Sequence, residues 1–301
     1  MPRKPILFIA PTRIGDAVLA ASLLRHIQQT QPDAKVTIVT SALAAPLYAG
    51  YPQLDRIIPI VKKPYNKHWL EVWKYTVGTR WDAVWDMRGS IISYVVSRRL
   101  RHTYVPPKEI APKVVQYQKA FGLPSLPPPV LWPTAADTQA ATALMADKVN
   151  YLILAPIANW APKEWPITAF IALAELLLNG ACAGYRPVII CAGHERERAQ
   201  PLLDALAAYD PLDLTNGDAP LLTIYACMER AHGFIGNDSG LMHMAAAAGI
   251  PTLGLFGPTP ADVYQPWGNT AKALRAPDND MAQLIPEAVA QVFEGMLPPR
   301  G

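Results

Sequence analysis

The feature that most constrains this 301-residue chain is a repeated grammar: short apolar runs alternate with helical periodicity, twice over, on either side of a proline-rich break. In the first half, Ile6 to Ala10, Val36 to Thr40, Ile57 to Ile60 and Ala83 to Asp86 read as buried strands. Between them, Val18, Leu19, Leu23, Leu24 and Ile27 recur at helical spacing, a short helix is expected around Leu43 to Tyr48, and another from Trp69 to Val77. Each βαβ crossover lays a helix over a sheet, so this alternation predicts a parallel sheet covered on both faces. The second half repeats the pattern, with strands at Tyr151 to Ala155, Pro187 to Cys191, Phe234 to Gly236 and Thr252 to Phe256. Its helices are expected over Ile167 to Leu178, Glu195 to Ala207, and from Ser239 onward. Between the halves, LPSLPPPVLWP from Leu123 to Pro133 holds five prolines. Proline fixes φ and supplies no backbone donor, so this piece is extended and semi-rigid. The expectation is an α/β protein of two doubly wound, Rossmann-like domains facing across a cleft: residues 1–133, with the proline-rich linker at 123–133, and residues 134–301.

Half of the residues are apolar and 17% are charged, which excludes a disordered or fibrous chain. The run Ile6 to Ala10 is too short for a secretory signal, and the nearly uncharged stretch Met244 to Pro258 contains Gly and Pro and falls short of a membrane span. A cytoplasmic protein is expected. Cys182, Cys191 and Cys227 are odd in number and lack CxxC spacing, so they read as buried free thiols. The net charge of +3 conceals a division: residues 1–119 hold 18 Lys and Arg against 7 Asp and Glu, and residues 120–301 hold 9 against 17. The excess is densest from Arg56 to Lys119. Such a face can attract a phosphorylated glycan, an anionic membrane surface or nucleic acid, or it can be ordinary solvated side chains. No zinc-finger spacing, RNA-binding signature or basic tail is present, so nucleic acid is not expected.

Ligands of open parallel sheets bind beyond the carboxyl ends of the strands, and three segments stand there. Thr12-Arg13-Ile14-Gly15-Asp16 follows the first strand; Asp16 is either a helix cap or a carboxylate able to accept a proton. Pro156 to Pro166 carries Lys163 among prolines and tryptophans, where its ammonium could meet a phosphate or simply be solvated. Gly236-Asn237-Asp238-Ser239-Gly240-Leu241-Met242-His243 joins a strand end to a helix start, whose free N–H groups can cradle a diphosphate. The small Ala246, Ala247 and Gly249 let that helix pack closely, and the Gly257-Pro258-Thr259-Pro260 turn adds a rigid loop. As pure structure, the segment would be a capped helix. None of the six histidines forms HxxxH or HExxH, no GxSxG or GxxxxGK[ST] occurs, and the first strand lacks GxGxxG. A covalent mechanism, a bound metal, a cofactor and a Rossmann dehydrogenase are all unexpected.

On these residues the chain resembles the ADP-heptose:lipopolysaccharide heptosyltransferases, glycosyltransferase family 9. Arg13-Ile14-Gly15-Asp16 is similar to that family's catalytic-aspartate loop, Pro156 to Pro166 to its donor loop, and Asp238-Ser239-Gly240-Leu241-Met242-His243 to its D-[ST]-G-x-x-H element, continued by Phe256-Gly257-Pro258-Thr259. Ala192 to Ala199 resembles the segment whose acidic residue holds the nucleoside, with Glu195 the first choice and Glu197 the second. Where relatives commonly offer Gly and a hydroxyl in the phosphate loop, this chain has Ile157 and Asn159. The resemblance implies a GT-B architecture with a final helix, about 281–293, returning toward the first domain. It also implies inverting transfer of heptose from an ADP-activated donor to a phosphorylated lipopolysaccharide core or related anionic glycan, with a peripheral contact at the inner membrane. Asp16 and Lys163 are then the catalytic candidates. Asn159, Lys163, Glu195, Asp238, Ser239, Gly240 and His243 are the donor-binding candidates, and Arg13, Lys62, Lys63 and Lys67 the acceptor-binding ones. The competing readings are a nucleotide-sugar epimerase or hydrolase of the same fold, and a non-catalytic glycan-binding protein.

Overall fold

The computed structural model describes residues 4–61 and 63–298. Two compact units divide the chain between Thr134 and Ala135. In the first, β1 (Lys4–Ile9), β2 (Ala34–Ser41), β3 (Leu54–Ile60), β4 (Trp81–Asp86) and β5 (Arg98–Thr103) form one sheet in the order β3-β2-β1-β4-β5. Every pairing is parallel. Parallel neighbours need crossovers, and right-handed crossovers running in opposite directions put their helices on opposite faces. Accordingly α1 (Ile14–Thr30) packs with α4 (Lys113–Ala120), and α2 (His68–Thr76) packs with α3 (Ile92–Val95). Leu7, Ile9, Val39 and Val84 form the core beneath Val72 of α2 and Ile92 of α3. Trp85, of opposite parity to Val84, stacks on His102 at 4.1 Å between centroids and meets Phe121 edge-on.

The proline-rich segment belongs to the first unit. Trp132 sets its ring 4.7 Å from that of Tyr51, Leu131 is buried, and Arg25 Nη1 donates to the carbonyl of Pro128. Gly50 admits this approach, because a Cβ there would lie 1.8 Å from the Trp132 carbonyl oxygen.

The second unit holds β6 (Tyr151–Ala155), β7 (Arg186–Ile190), β8 (Leu212–Leu214), β9 (Gly233–Asn237), β10 (Thr252–Phe256) and β11 (Ala271–Arg275), in the order β11-β10-β9-β6-β7-β8 and parallel throughout. Its helices are α5 (Ala135–Leu144), α6 (Ile167–Asn179), α7 (Arg196–Ala205), α8 (Leu221–Glu229), α9 (Gly240–Ala248), α10 (Ala261–Tyr264) and α11 (Pro286–Glu294). The helix expected over 281–293 is split: a 3₁₀ turn spans Met281–Gln283, and α11 begins at Pro286. Proline is tolerated at a first helical position, where its missing N–H would have had no intrahelical acceptor. The buried side of α11, Val289 and Phe293, joins the core of the second unit beside α6. Both sheets reverse strand order once, between β1 and β4 and between β6 and β9. Loops that leave adjacent strands on opposite faces part there, which opens a crevice at each carboxyl edge. All three cysteines are buried, and none is in a disulfide among the described residues. Among the described residues no helix is long and apolar enough to cross a membrane.

Candidate active site

At the switch point of the first unit, the loop after β1 is fastened to β2: Thr40 Oγ1 donates to the Pro11 carbonyl at 2.8 Å and Ser41 Oγ to that of Thr12 at 2.7 Å. This anchoring fixes where α1 starts. Asp16 lies in its first turn, past the extended N-cap Arg13, and no side-chain cap bond is made at Arg13. Among the described residues no hydrogen-bond donor is recorded on the Asp16 carboxylate, so it is not consumed as a cap. Its charge, together with the larger effect of burial, pushes the Tyr48 phenol upward. Arg13 is exposed beside it.

The loop after β4 flanks this one, joined to β1 by the Met87 N–H on the Ile9 carbonyl. The fully buried Asp86 accepts from the N–H of Arg88 at 2.9 Å and from both the N–H and the hydroxyl of Ser90, at 2.6 and 2.9 Å. The guanidinium of Arg88 sits 5.0 Å from the Trp69 ring centre. Its Nη1 is shielded from water and has no acceptor among the described residues. Burial lowers the Arg88 pKa against the opposing pull of Asp86. Sequence reasoning missed Arg88. The signal was there in Asp86-Met87-Arg88-Gly89-Ser90, a polar, glycine-containing turn directly after a strand.

At the switch point of the second unit, the loops after β6 and β9 are cross-linked. Lys163 Nζ lies 2.6 Å from Asp238 Oδ2, with side chains 21% and 7% exposed. Asn237, fully buried at the end of β9, accepts from the Trp165 N–H at 3.1 Å and donates to the Pro156 carbonyl at 2.6 Å. Glu164 accepts from the Ala158 N–H and pairs with Arg198. Ser239 caps α9, its hydroxyl oxygen facing the Met242 N–H at 3.5 Å. The first N–H groups of any helix have no intrahelical acceptor, so Gly240 opens a site for an anion. α9 lies tight on its sheet: a Cβ at Gly254 would stand 2.2 Å from Met242 Sδ. Beyond β7, Glu195 is buried, accepts from the Ala192 N–H at 3.1 Å and has Arg198 at 3.3 Å, whereas Glu197 is exposed. Burial, reinforced by Glu195 and Asp213, pushes the Cys191 thiol up to about 11, so it is no ready nucleophile. No group of three or more His, Cys, Asp or Glu among the described residues could hold a metal ion together.

Residues 70–290 match the family model described as glycosyltransferase family 9 (heptosyltransferase). The chain belongs to glycosyltransferase family 9. It is thus an enzyme of the glycosyltransferase class, and the epimerase, hydrolase and non-catalytic readings give way to it. Lipopolysaccharide heptosyltransferase 2 of Salmonella typhimurium is 25% identical over 90% of this chain and 87% of that protein. Lipopolysaccharide heptosyltransferase 1 of an Escherichia coli strain is 23% identical over 96% of this chain and 97% of that protein. Among solved structures, the fold is similar to a family 9 glycosyltransferase from Veillonella parvula, with a TM-score of 0.85 at 18% identity, covering 98% of each chain. It is also similar to ADP-heptose lps heptosyltransferase II of Escherichia coli, with a TM-score of 0.78 at 22% identity, covering 97% of this chain and 98% of that one. The architecture is GT-B.

Within this family 9 fold, Lys163, Asp238, Ser239 and Gly240 gather at one switch point, with His243 buried in the first turn of α9. Asn159 is exposed on the same loop as Lys163, and Glu195 stands beyond the neighbouring strand. Asp16 and Arg13 share the loop at the other switch point. Of the basic candidates, Lys63 is paired with Glu71, Lys67 is exposed, and Lys62 lies outside the described residues.

Proposed function

We propose that this enzyme transfers heptose from ADP-heptose, with inversion, to a hydroxyl of a lipopolysaccharide core or a related anionic glycan. Two neighbours support the donor: the solved structures are described as Escherichia coli heptosyltransferase WaaC with ADP and with ADP-2-deoxy-2-fluoro heptose. The curated relatives named as lipopolysaccharide heptosyltransferases support the acceptor.

The observation that carries the mechanism is the Asp16 carboxylate, placed in the first turn of α1 at a switch point and holding no backbone donor. It takes the proton of the acceptor hydroxyl while that oxygen bonds to the anomeric carbon. The bond from that carbon to the diphosphate oxygen breaks, and ADP leaves with the electron pair. The growing charge on ADP is met by Lys163, the N–H groups at the start of α9, and His243. Asp238 holds the lysine in place before the donor arrives, so little reorganisation is left for the moment of reaction. On the acceptor side Arg13 shares Asp16's loop, Arg88 stands on the flanking loop, and Lys63 and Lys67 add a wider positive field. A peripheral contact with the inner membrane brings enzyme and acceptor together.

The test is a donor-turnover assay with and without acceptor glycan, together with mass spectrometry of the lipopolysaccharide core after deletion of the gene. ADP release that requires the glycan, and a core shortened at a heptose, are expected. An unchanged core would remove lipopolysaccharide as the acceptor, and acceptor-independent turnover would remove transfer.

A further inference from the structure

Among the described residues sixteen large apolar side chains stand exposed, and twelve of them fall between Val61 and Ile110. That concentration is too great for scatter. In α2, His68, Val72 and Thr76 recur one turn apart and are buried on the sheet, while Leu70, Trp73 and Tyr75 are exposed, with Val77 just beyond the helix end. In α3, Ile92 and Ser93 are buried and Tyr94 and Val95 are exposed, as is Ile91 just before the helix. The two helices pack against each other on one face of the sheet, so their outward sides adjoin. Single exposed apolar residues are ordinary; an adjoining set marks an interaction surface.

The charge around this set is predominantly positive. Residues 56–108 contain eleven Lys and Arg and only three acidic residues, Glu71, Asp82 and Asp86. Glu71 is paired with Lys63, Asp82 with Arg99, and Asp86 is fully buried, which leaves the other cations of the stretch in excess. No carboxylate among the described residues lies within salt-bridge distance of Lys67, Lys74, Arg98 or Arg101. β5 brings two of these cations to the apolar set. Arg101 lies 4.0 Å over the Tyr94 ring, and Arg98 Nη1 donates to the carbonyls of Tyr94 and Val96. Aromatic and aliphatic side chains interleaved with Lys and Arg on one outward face have the chemistry of the boundary between lipid headgroups and acyl chains. There the apolar parts enter and the cations stay among phosphates.

We propose that the outward face of α2 and α3, edged by Arg98 and Arg101 of β5, docks on an anionic lipid bilayer. The proposal deepens the transferase reading, whose acceptor is a lipid-linked glycan, by naming the surface that meets the membrane. It commits to lipid because aromatic and aliphatic side chains set among a net excess of Lys and Arg complement an anionic headgroup layer over acyl chains.

The experiment is flotation of the full-length protein with vesicles of phosphatidylcholine alone and of equal parts phosphatidylcholine and phosphatidylglycerol, both free of glycan. The wild type is expected to float with the mixed vesicles only and to be released by high salt. Leu70→Ser/Tyr94→Ser and Lys74→Glu/Arg101→Glu should each lower partitioning about tenfold or more, losing the apolar and the electrostatic contribution respectively. Both should keep wild-type melting behaviour and wild-type transfer to a delipidated, soluble acceptor. Absence of flotation by the wild type, or flotation of either variant at the wild-type level, overturns the proposal. So does light scattering that shows a dimer abolished by Leu70→Ser/Tyr94→Ser without vesicle binding, because the face would then belong to a second copy. A wild type that floats but fails to transfer to the soluble acceptor refutes the transferase reading and leaves the docking surface standing.

Discussion

The two units share one topology and use its switch point in opposite ways. In the second unit, the polar side chains that join the loops after β6 and β9 are spent on one another. Lys163 is held by Asp238, and Asn237 ties together both ends of the Pro156 to Pro166 loop. Glu164 is shared by Ala158 and Arg198 on the flank. In the first unit, the loops are anchored through Thr40, Ser41 and Asp86, while Asp16 and Arg13 are left unengaged among the described residues. On the proposed mechanism, a diphosphate bound before and after transfer gains from a site assembled in advance. A carboxylate proposed as general base is best left open, because it must give up whatever it holds in order to take a proton. Around these sites the contrast continues: one unit is basic and exposes most of the large apolar side chains, and the other is acidic and exposes few.

The sharpest way to break this comparison is Asp16→Asn. Turnover should fall by roughly 10²-fold to 10⁴-fold, the usual worth of a positioned base, with ADP affinity by calorimetry unchanged. A variant that keeps wild-type turnover ends the base assignment, and one that unfolds shows Asp16 to be structural after all. Lys163→Ala should act on the opposite unit, weakening ADP and ADP-sugar alike by about 1.5–3 kcal/mol, the worth of a hydrogen bond to a charged group. Because it strands the buried Asp238, it should also lower the melting temperature. Adding Asp238→Asn should restore stability without restoring ADP affinity, and recovery of both would mean that Lys163 serves the fold alone.

Arg88→Lys tests whether the first unit really reserves its cations for the acceptor. It keeps the charge but loses the planar fork, so the acceptor KM should rise about tenfold at constant ADP affinity. If ADP binding shifts instead, Arg88 serves the donor. The smallest effect is expected from Lys67→Ala, about twofold to threefold in acceptor KM, fading at high salt because exposed charges are screened within about 8 Å. Lys63→Ala should have a similar effect, since it removes one positive charge and leaves the exposed Glu71 without its partner. Equal salt dependence in wild type and Lys67→Ala would make Lys67 an ordinary solvated residue.

Legibility in the sequence followed burial. β6 and β10 run over the residues expected, Tyr151–Ala155 and Thr252–Phe256, because central parallel strands are apolar on both faces and appear as unbroken runs. β5, β8 and β11 escaped notice. β5 reads Arg98-Arg99-Leu100-Arg101-His102-Thr103, and all three are edge strands whose side chains meet solvent and need no apolar run. The carboxyl-edge loops carrying Asp16, Lys163 and Asp238 were visible because they directly follow such runs.

What the sequence by itself determined was therefore the class of fold and the strand ends at which polar residues would collect. These depend on local periodicity, and on proline and glycine chemistry that acts within a few residues. Only the tertiary structure decided which groups meet. Lys163 and Asp238 are 75 residues apart and are neighbours because β6 pairs with β9. Trp69 comes under Arg88 from a separate helix, and Arg101 reaches Tyr94 from the adjoining strand. Each of these contacts depends on strand order, which crossover connections set over distances that no sequence window spans. For the same reason the adjoining faces of α2 and α3 became a single surface only once both helices were laid on the same side of one sheet.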